Sequence, residues 1–137
     1  MGQQQLLLII LGVIIVGIAV AVGITMFQDN AVDQNRSAVI ADLTTLAAKA
    51  QQYYAKPTTL GGGGNSFVGL TADATGLALL ASTAFTNNAN GTYSIKTAGS
   101  AANVVLEGIG KTALSDGSFC TYDMTVTSSS QTPSKLN

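Results

Sequence analysis

Residues that carry chemistry are scarce in this sequence. Histidine is absent from the 137 residues, which removes the commonest general base and the commonest metal ligand of proteins. Cys120 is the only cysteine, so an intramolecular disulfide is excluded, and we expect a small buried hydrophobic side chain on a strand. The 7 carboxylates include no close pair in a predicted strand, and no serine has a histidine to activate it. We therefore expect no enzyme, no cofactor and no metal site.

Charge is equally scarce, and it is unevenly distributed. Only 9% of the residues are charged and the net charge is -1, so no basic stripe is present to neutralise a phosphate backbone, and nucleic acid is a poor candidate for a primary partner. No charged side chain precedes Asp29. The pattern divides the chain into an apolar segment of residues 1–28, an amphipathic segment of residues 29–56 and a β-rich head of residues 57–137.

The apolar segment contains nineteen consecutive residues without a polar side chain, from Leu6 to Ile24. Such a run is long enough to span a bilayer as a helix. The whole uncharged stretch would reach about 42 Å at about 1.5 Å per residue. A removable secretory signal peptide would begin with basic residues, but no lysine or arginine precedes this run. The segment is therefore predicted to be a lasting transmembrane or filament-core helix.

The helical pattern continues beyond the apolar run. Apolar residues recur there at spacings of three and four and form one stripe, while most charged residues fall elsewhere. Neither proline nor glycine interrupts residues 25–56, and Pro57 ends the helix because the residue before a proline avoids the helical region. The sequence thus predicts one helix of about 50 residues, roughly 75 to 80 Å long. The stripe residues predicted to pack the helix against the head are Val39, Leu43, Leu46, Ala50 and Tyr54.

Three segments of the head are rich in Tyr, Val, Ile or Thr and are bounded by turn residues, which predicts three strands. They are Thr92 to Lys96, Asn103 to Ile109 and Phe119 to Thr127. Before them, Gly61 to Gly64 predicts a flexible or tightly looping connector, and Thr75 to Phe85 predicts a short helix or a buried turn. A small sheet with one apolar face needs a cover, which the helix stripe supplies. We therefore predict an α+β fold in which the second half of a long helix packs on an antiparallel sheet.

The junction Phe27-Gln28-Asp29 and the run AAKAQQYY from Ala47 to Tyr54, following an apolar helix, resemble the type IV pilins and pseudopilins. The resemblance implies a structural subunit of an extracellular filament, a homo-oligomeric helical polymer. It also implies a membrane-embedded precursor pool in the inner membrane and partners in a pilus assembly machinery. The residues expected to pack in the filament core are Leu6, Leu7, Leu8, Ile9, Ile10, Val13, Ile14, Ile15, Ile18 and Val20.

The N-terminus departs from the pattern of these families, which carry a glutamate near the processed end. If Met1 is that end, the matching position is Gln5, and if Met1-Gly2 is a leader, it is Leu7. We expect Met1 to be the observed end and Met1 and Gln5 to act in N-terminal assembly, with apolar burial in place of an ion pair. The family proline is absent, and Gly17 to Gly23 could either loosen the helix or allow close helix approach.

The resemblance also raises the possibility of bound calcium, which some pseudopilins hold. Four residues are candidates, namely Asp73, Asn103, Asp116 and Asp123, but their spacing favours turn caps and solvated positions. The triplets that begin at Asn35 and Asn90 match the acceptor pattern for N-glycosylation, although such triplets often arise by chance. Thr125 to Ser134 is predicted to be an exposed tail that could carry O-linked sugar.

Three functions compete at this stage. The leading one is a major pilin-like subunit, and the second is a pseudopilin or minor pilin of a secretion system. The third is a signal-anchored single-span membrane protein with a small binding head, which predicts a helix that ends near the bilayer surface and a head with a defined pocket. The uninterrupted helical pattern up to Lys56 argues against the third.

Overall fold

The computed structural model describes residues 2–137 and has one long helix followed by a small sheet. The predicted α+β fold is confirmed. Helix α1 spans Gly2–Ala55, a 3-10 turn spans Thr58–Leu60, and two short helices follow as α2 (Ala74–Ala78) and α3 (Thr83–Thr86). The strands are β1 (Gly91–Thr97), β2 (Asn103–Ala113), β3 (Phe119–Thr127) and β4 (Gln131–Lys135).

Helix α1 has 54 residues, which corresponds to about 81 Å at 1.5 Å per residue. It ends at Ala55, two residues before Pro57, as the restriction on residues before proline predicts. The glycine-rich connector then turns back tightly onto the helix end. The backbone N–H groups of Gly63 and Asn65 donate to the carbonyls of Tyr53 and Tyr54 at 2.7 and 2.8 Å, so the connector satisfies carbonyl groups that a helix end leaves without partners.

Glycine is required at more than one point of this connector, and the tightest is Gly63. A Cβ atom on Gly63 would lie 1.8 Å from the carbonyl oxygen of Ser66, so any larger residue would force the backbone to move. The sequence left a flexible and a tightly looping connector open at Gly61 to Gly64, and the structure has the tightly looping one.

The sheet has the order β1-β2-β3-β4, and all neighbouring strands are antiparallel. The three predicted strands are present, and β2 extends four residues beyond its predicted end at Ile109. The prediction of an exposed tail at 125–134 is correct in its exposure at residues 128–130 and 132–134 but wrong in its structure, because residues 125–127 belong to β3, where Val126 is buried, and β4 begins at Gln131. The sequence QTPSK has no apolar alternation, so only its pairing with β3 after a tight turn makes it a strand.

Pro133 is compatible with β4 because of its register. The N–H of Thr127 donates to Ser130 at 2.9 Å, and the N–H of Leu136 donates to Thr121 at 3.0 Å. Since hydrogen-bonded and non-hydrogen-bonded pairs alternate in an antiparallel ladder, the Met124–Pro133 pair occupies a non-hydrogen-bonded position. The missing N–H therefore faces the free edge of the sheet, where proline also hinders the addition of another strand.

One hydrophobic core lies between the second half of α1 and one face of the sheet. The predicted apolar face of β3 is buried, including Cys120. Phe67 and Leu70, from the loop before α2, close the same core and are at most 1% exposed. The buried strand residues are Tyr93, Ile95, Val104, Leu106, Cys120, Tyr122, Met124 and Val126.

Candidate assembly helix

No residue in the first half of α1 is buried against the rest of the described chain. Every residue from 2 to 31 is exposed, and sixteen of them are large hydrophobic side chains with exposed fractions between 50% and 82%. All ten residues predicted for the filament core belong to this exposed half: Leu6, Leu7, Leu8, Ile9, Ile10, Val13, Ile14, Ile15, Ile18 and Val20. Gln5 is exposed as well, and Met1 lies outside the described residues.

This half of α1 is long and apolar enough to cross a membrane. Its most apolar window of 18 residues has a mean hydropathy of 3.2 and is not buried by any other part of the protein. The exposed stretch of residues 2–31 measures about 45 Å, compared with about 30 Å for the hydrocarbon layer of a bilayer. Helical structure continues through Gly17 and Gly23 without a break, so the structure shows no melted segment there.

The second half of α1 carries the residues predicted to pack on the head. Val39, Leu43, Leu46 and Ala50 have no exposed surface, and Tyr54 is partly buried with its ring centroid 4.8 Å from that of Phe67. Burial begins at Val32. Fully burying a side chain of this size contributes about 1.5 to 3 kcal/mol relative to leaving it in water, so the stripe fixes the helix firmly to the sheet.

Asp42 adds a polar anchor beside this stripe. Its Oδ2 atom accepts hydrogen bonds from the Tyr93 hydroxyl at 2.7 Å, from Asn88 Nδ2 at 2.9 Å and from Asn90 Nδ2 at 3.0 Å. Burial alone would raise the pKa of Asp42, but the three hydrogen bonds outweigh it and lower this pKa below the ordinary value of 3.8. Burial and the neighbouring carboxylate raise the pKa of Tyr93 in turn. The ionised Asp42 carboxylate thus joins α1 to strand β1 and to the loop before it.

Asn35 anchors the helix seven residues before Asp42, on the same side of α1. Its Nδ2 donates to the carbonyl of Asn90 at 2.7 Å, and its Oδ1 accepts from the N–H of Thr112 at 3.4 Å. Because the side-chain amides of Asn35 and Asn90 are both hydrogen-bonded within the partly buried head, neither is presented as a glycan acceptor. The structure thus favours the chance origin of both triplets.

Gln51 anchors the other flank of the stripe. Its Nε2 donates to the carbonyl of Thr127 at 3.0 Å, and its Oε1 accepts from Gln131 Nε2 at 3.1 Å. This contact ties α1 to the turn between β3 and β4. Sequence reasoning missed all three anchors, because their partners lie 46 to 85 residues away. The only feature of the sequence that could have indicated these anchors is the presence of amide and carboxylate side chains at the borders of the apolar stripe.

The four candidate calcium ligands are not brought together. Asp73 accepts from the N–H groups of Thr75 and Gly76 and so caps α2, while Asp116 accepts from Ser118 in the turn between β2 and β3. Asn103 Oδ1 accepts from Ser100. Within residues 2–137, no group of three or more His, Cys, Asp or Glu side chains could hold a metal ion.

The fourth candidate, Asp123, belongs to an ion-pair cluster on the outer face of the sheet. Lys96 Nζ lies 2.6 Å from Asp123 Oδ2 and 3.3 Å from Glu107 Oε2, so one cation joins carboxylates on two strands. Hydrogen bonding to Asp123 raises the pKa of Lys96. The side chains of Lys96, Glu107 and Asp123 are 40%, 22% and 15% exposed, and Asp123 Oδ1 is buried without a hydrogen-bond partner among the described residues, so Asp123 does not occupy the solvated position that its spacing favoured.

Comparison with protein-family models, with curated proteins and with solved structures gives no match to this chain.

Proposed function

We propose that this protein is the structural subunit of an extracellular filament that polymerises through the exposed half of α1. The single observation that carries the proposal is the contrast in burial along one continuous helix. The head buries one side of α1 from Val32 onward, while sixteen large hydrophobic side chains before that point are exposed. A helix that is apolar on all sides needs a surrounding of lipid or of other helices.

Burial among identical helices is energetically sufficient for assembly. Each Leu or Ile side chain gains about 1.5 to 3 kcal/mol on full burial, and the exposed half of the helix offers ten such side chains. Association costs on the order of 4 to 15 kcal/mol in lost freedom of motion. Apolar packing therefore drives polymerisation without an ion pair near Gln5, which is an uncharged amide.

The proposal includes a membrane stage. Subunits are held in a membrane by the apolar half of α1, and an assembly machinery moves them into a filament, where neighbouring helices replace lipid. The anchors Asn35, Asp42 and Gln51 support this transfer, because they hold the head rigidly on the helix while its environment changes. Major and minor subunits would share this design, and the abundance of the filament outside the cell distinguishes them.

A second candidate function is a single-span membrane protein with a small binding head. The observation in its favour is that the apolar half satisfies the length and hydropathy requirements of a membrane span. Against it stands the continuation of α1 for 24 residues beyond residue 31, to Ala55. An anchored head needs no helix that extends so far past the bilayer.

The decisive experiment is electron microscopy of material sheared from the surface of cells that produce the protein, with gold-labelled antibody against the head. We expect labelled filaments in which α1 runs nearly parallel to the filament axis, with residues 2–24 inside and the heads outside. Exclusive recovery of the protein as discrete monomers in the membrane fraction would contradict the proposal and favour the single-span alternative.

A further inference from the structure

Two exposed charges flank the amphipathic half of α1: Asp29 lies within the helix, and Lys56 directly follows its last residue, Ala55. Asp29 and Lys56 are both exposed, and neither forms an ion pair with any residue between 2 and 137. They are 27 residues apart, which corresponds to about 40 Å along the axis and about 7.5 helical turns. Although Lys56 lies one residue beyond the end of α1, its backbone N–H still donates to the Gln52 carbonyl at 3.0 Å, so helical spacing places the two residues on opposite sides of the axis.

Asp29 belongs to a surface that we call the acidic end, made of Asp29, Asp33, Arg36 and the turn that contains Asp116. Asp29, Asp33 and Arg36 line one open groove together with Leu114 and Ser115 of this turn. Arg36 Nη1 lies 3.3 Å from Asp33 Oδ1, but the Asp33 side chain is 71% exposed. With two carboxylates and one guanidinium lining this groove, the acidic end keeps a negative charge.

Lys56 belongs to a second surface, the basic end, made of Lys49, Tyr53, Lys56 and Leu79. These residues line a groove where the C-terminal part of α1 meets the end of α2. The ammonium group of Lys49 lies 5.0 Å from the centroid of the Phe85 ring, whereas Lys56 is exposed. Leu79 is 53% exposed, so the groove combines positive charge with apolar surface.

We infer that the acidic end of one subunit docks on the basic end of a second copy of this chain, displaced by about 40 Å along the helix axis. Two parallel copies that lie side by side present opposite faces to each other, which is how Asp29 and Lys56 are placed. Because the contact joins two different surfaces, it does not close on itself and continues along a polymer.

This inference rests on the proposed filament function and adds a determinant of register to it. Apolar packing of the exposed half of α1 is non-directional, since hydrophobic burial depends mainly on area. Charge complementarity fixes the orientation and register of a contact more than its affinity. The head-to-tail pair thus selects one axial displacement among those that apolar packing permits.

A double cysteine variant, Asp29→Cys with Lys56→Cys, tests the contact in assembled filaments. A disulfide requires Cα atoms about 4.4 to 6.8 Å apart, so two positions about 40 Å apart on one straight helix can be linked only between subunits. Mild oxidation should give a ladder of dimers, trimers and longer multimers on a non-reducing gel. The native Cys120 is buried and should not contribute. The matched control, Asp29→Cys with Lys135→Cys, should give no such ladder.

Charge exchange provides an independent test in case the cysteine variant assembles poorly. Asp29→Lys and Lys56→Asp should each reduce filament yield by about fivefold or less at low salt, which is the range for exposed pairs. The combination of both changes should restore the yield. If the wild type forms filaments but the double cysteine variant gives no ladder and the combined charge exchange gives no rescue, the contact is overturned while the filament proposal stands. Absence of wild-type filaments would overturn the filament proposal itself.

Discussion

Between residues 2 and 31 no side chain of α1 is buried, whereas Val32, Val39, Leu43, Leu46, Ala47 and Ala50 are buried beyond that point. Both halves are helical and neither is broken, so helix propensity does not distinguish them. They differ in how their apolar residues are distributed around the axis. In the second half these residues form a stripe that one small sheet covers, and in the first half they occupy all sides. A helix with one apolar stripe can thus be covered by a single packing surface, whereas a helix that is apolar all round needs apolar surroundings on every side.

The largest effect should come from placing a charge in the first half. We expect Val13→Lys to abolish filaments, because an unpaired charge buried in an apolar bundle costs several kcal/mol. The head should remain folded, since Val13 is 67% exposed and contacts no part of it. Filament yield by electron microscopy and near-ultraviolet circular dichroism of the solubilised protein measure the two effects separately.

Ser94→Lys is the matched control, because Ser94 is exposed on β1 and pairs with Glu107 across the ladder. This variant should keep both the filaments and the fold. Loss of the head's circular dichroism signal in Val13→Lys would contradict the division of α1 into an assembly half and a head-binding half.

A substitution in the second half of α1 should instead lower the stability of the head. Leu46→Ala removes a fully buried side chain from the core, and such changes cost about 2 to 5 kcal/mol in the free energy of unfolding. Urea unfolding of residues 29–137 expressed alone measures this loss. Thr45→Ala, one position earlier and exposed, should change the free energy of unfolding by no more than about 0.5 kcal/mol. Equal effects of the two substitutions would mean that the stripe does not hold the head.

The helix stripe and the half-buried strand could be predicted from the sequence because each produces a local periodic pattern of apolar residues. The spacing of Val39, Leu43 and Leu46 identifies a helix face, and the alternation in Phe119 to Thr127 identifies a half-buried strand. Strand β4 was beyond such reasoning, since its residues show no apolar alternation and become a strand only by backbone pairing with β3. The connector at Gly61 to Gly64 was predicted only as one of two alternatives, because its backbone contacts with the helix end are not visible in the sequence. The same holds for the Asp42 anchor, whose partners come from a loop and a strand that only the folded chain brings near.

Asp42 offers the finest test of the comparison, because it gives the head-binding half of α1 a pH dependence that residues 2–28, which carry no charged side chain, lack. Its folded pKa lies below the ordinary value of 3.8. A depressed carboxyl pKa contributes stability that is complete above the unfolded pKa and is lost as the pH falls through the folded pKa. In residues 29–137, Asp42→Asn should lower the free energy of unfolding at pH 7 by about 0.5 to 1.5 kcal/mol, since an amide oxygen replaces an ionised acceptor.

The difference between wild type and Asp42→Asn should therefore be constant from pH 7 to about pH 5 and should shrink below the ordinary carboxyl pKa. Urea titrations at intervals from pH 7 to pH 2.5 measure it. Asp33→Asn is the control, because Asp33 is largely exposed and pairs only with Arg36 among the residues that the structure describes. A difference for Asp42→Asn that stays the same down to pH 2.5 would show that ionisation of Asp42 does not contribute to the anchor. The hydrogen bonds from Tyr93, Asn88 and Asn90 would then act through geometry alone.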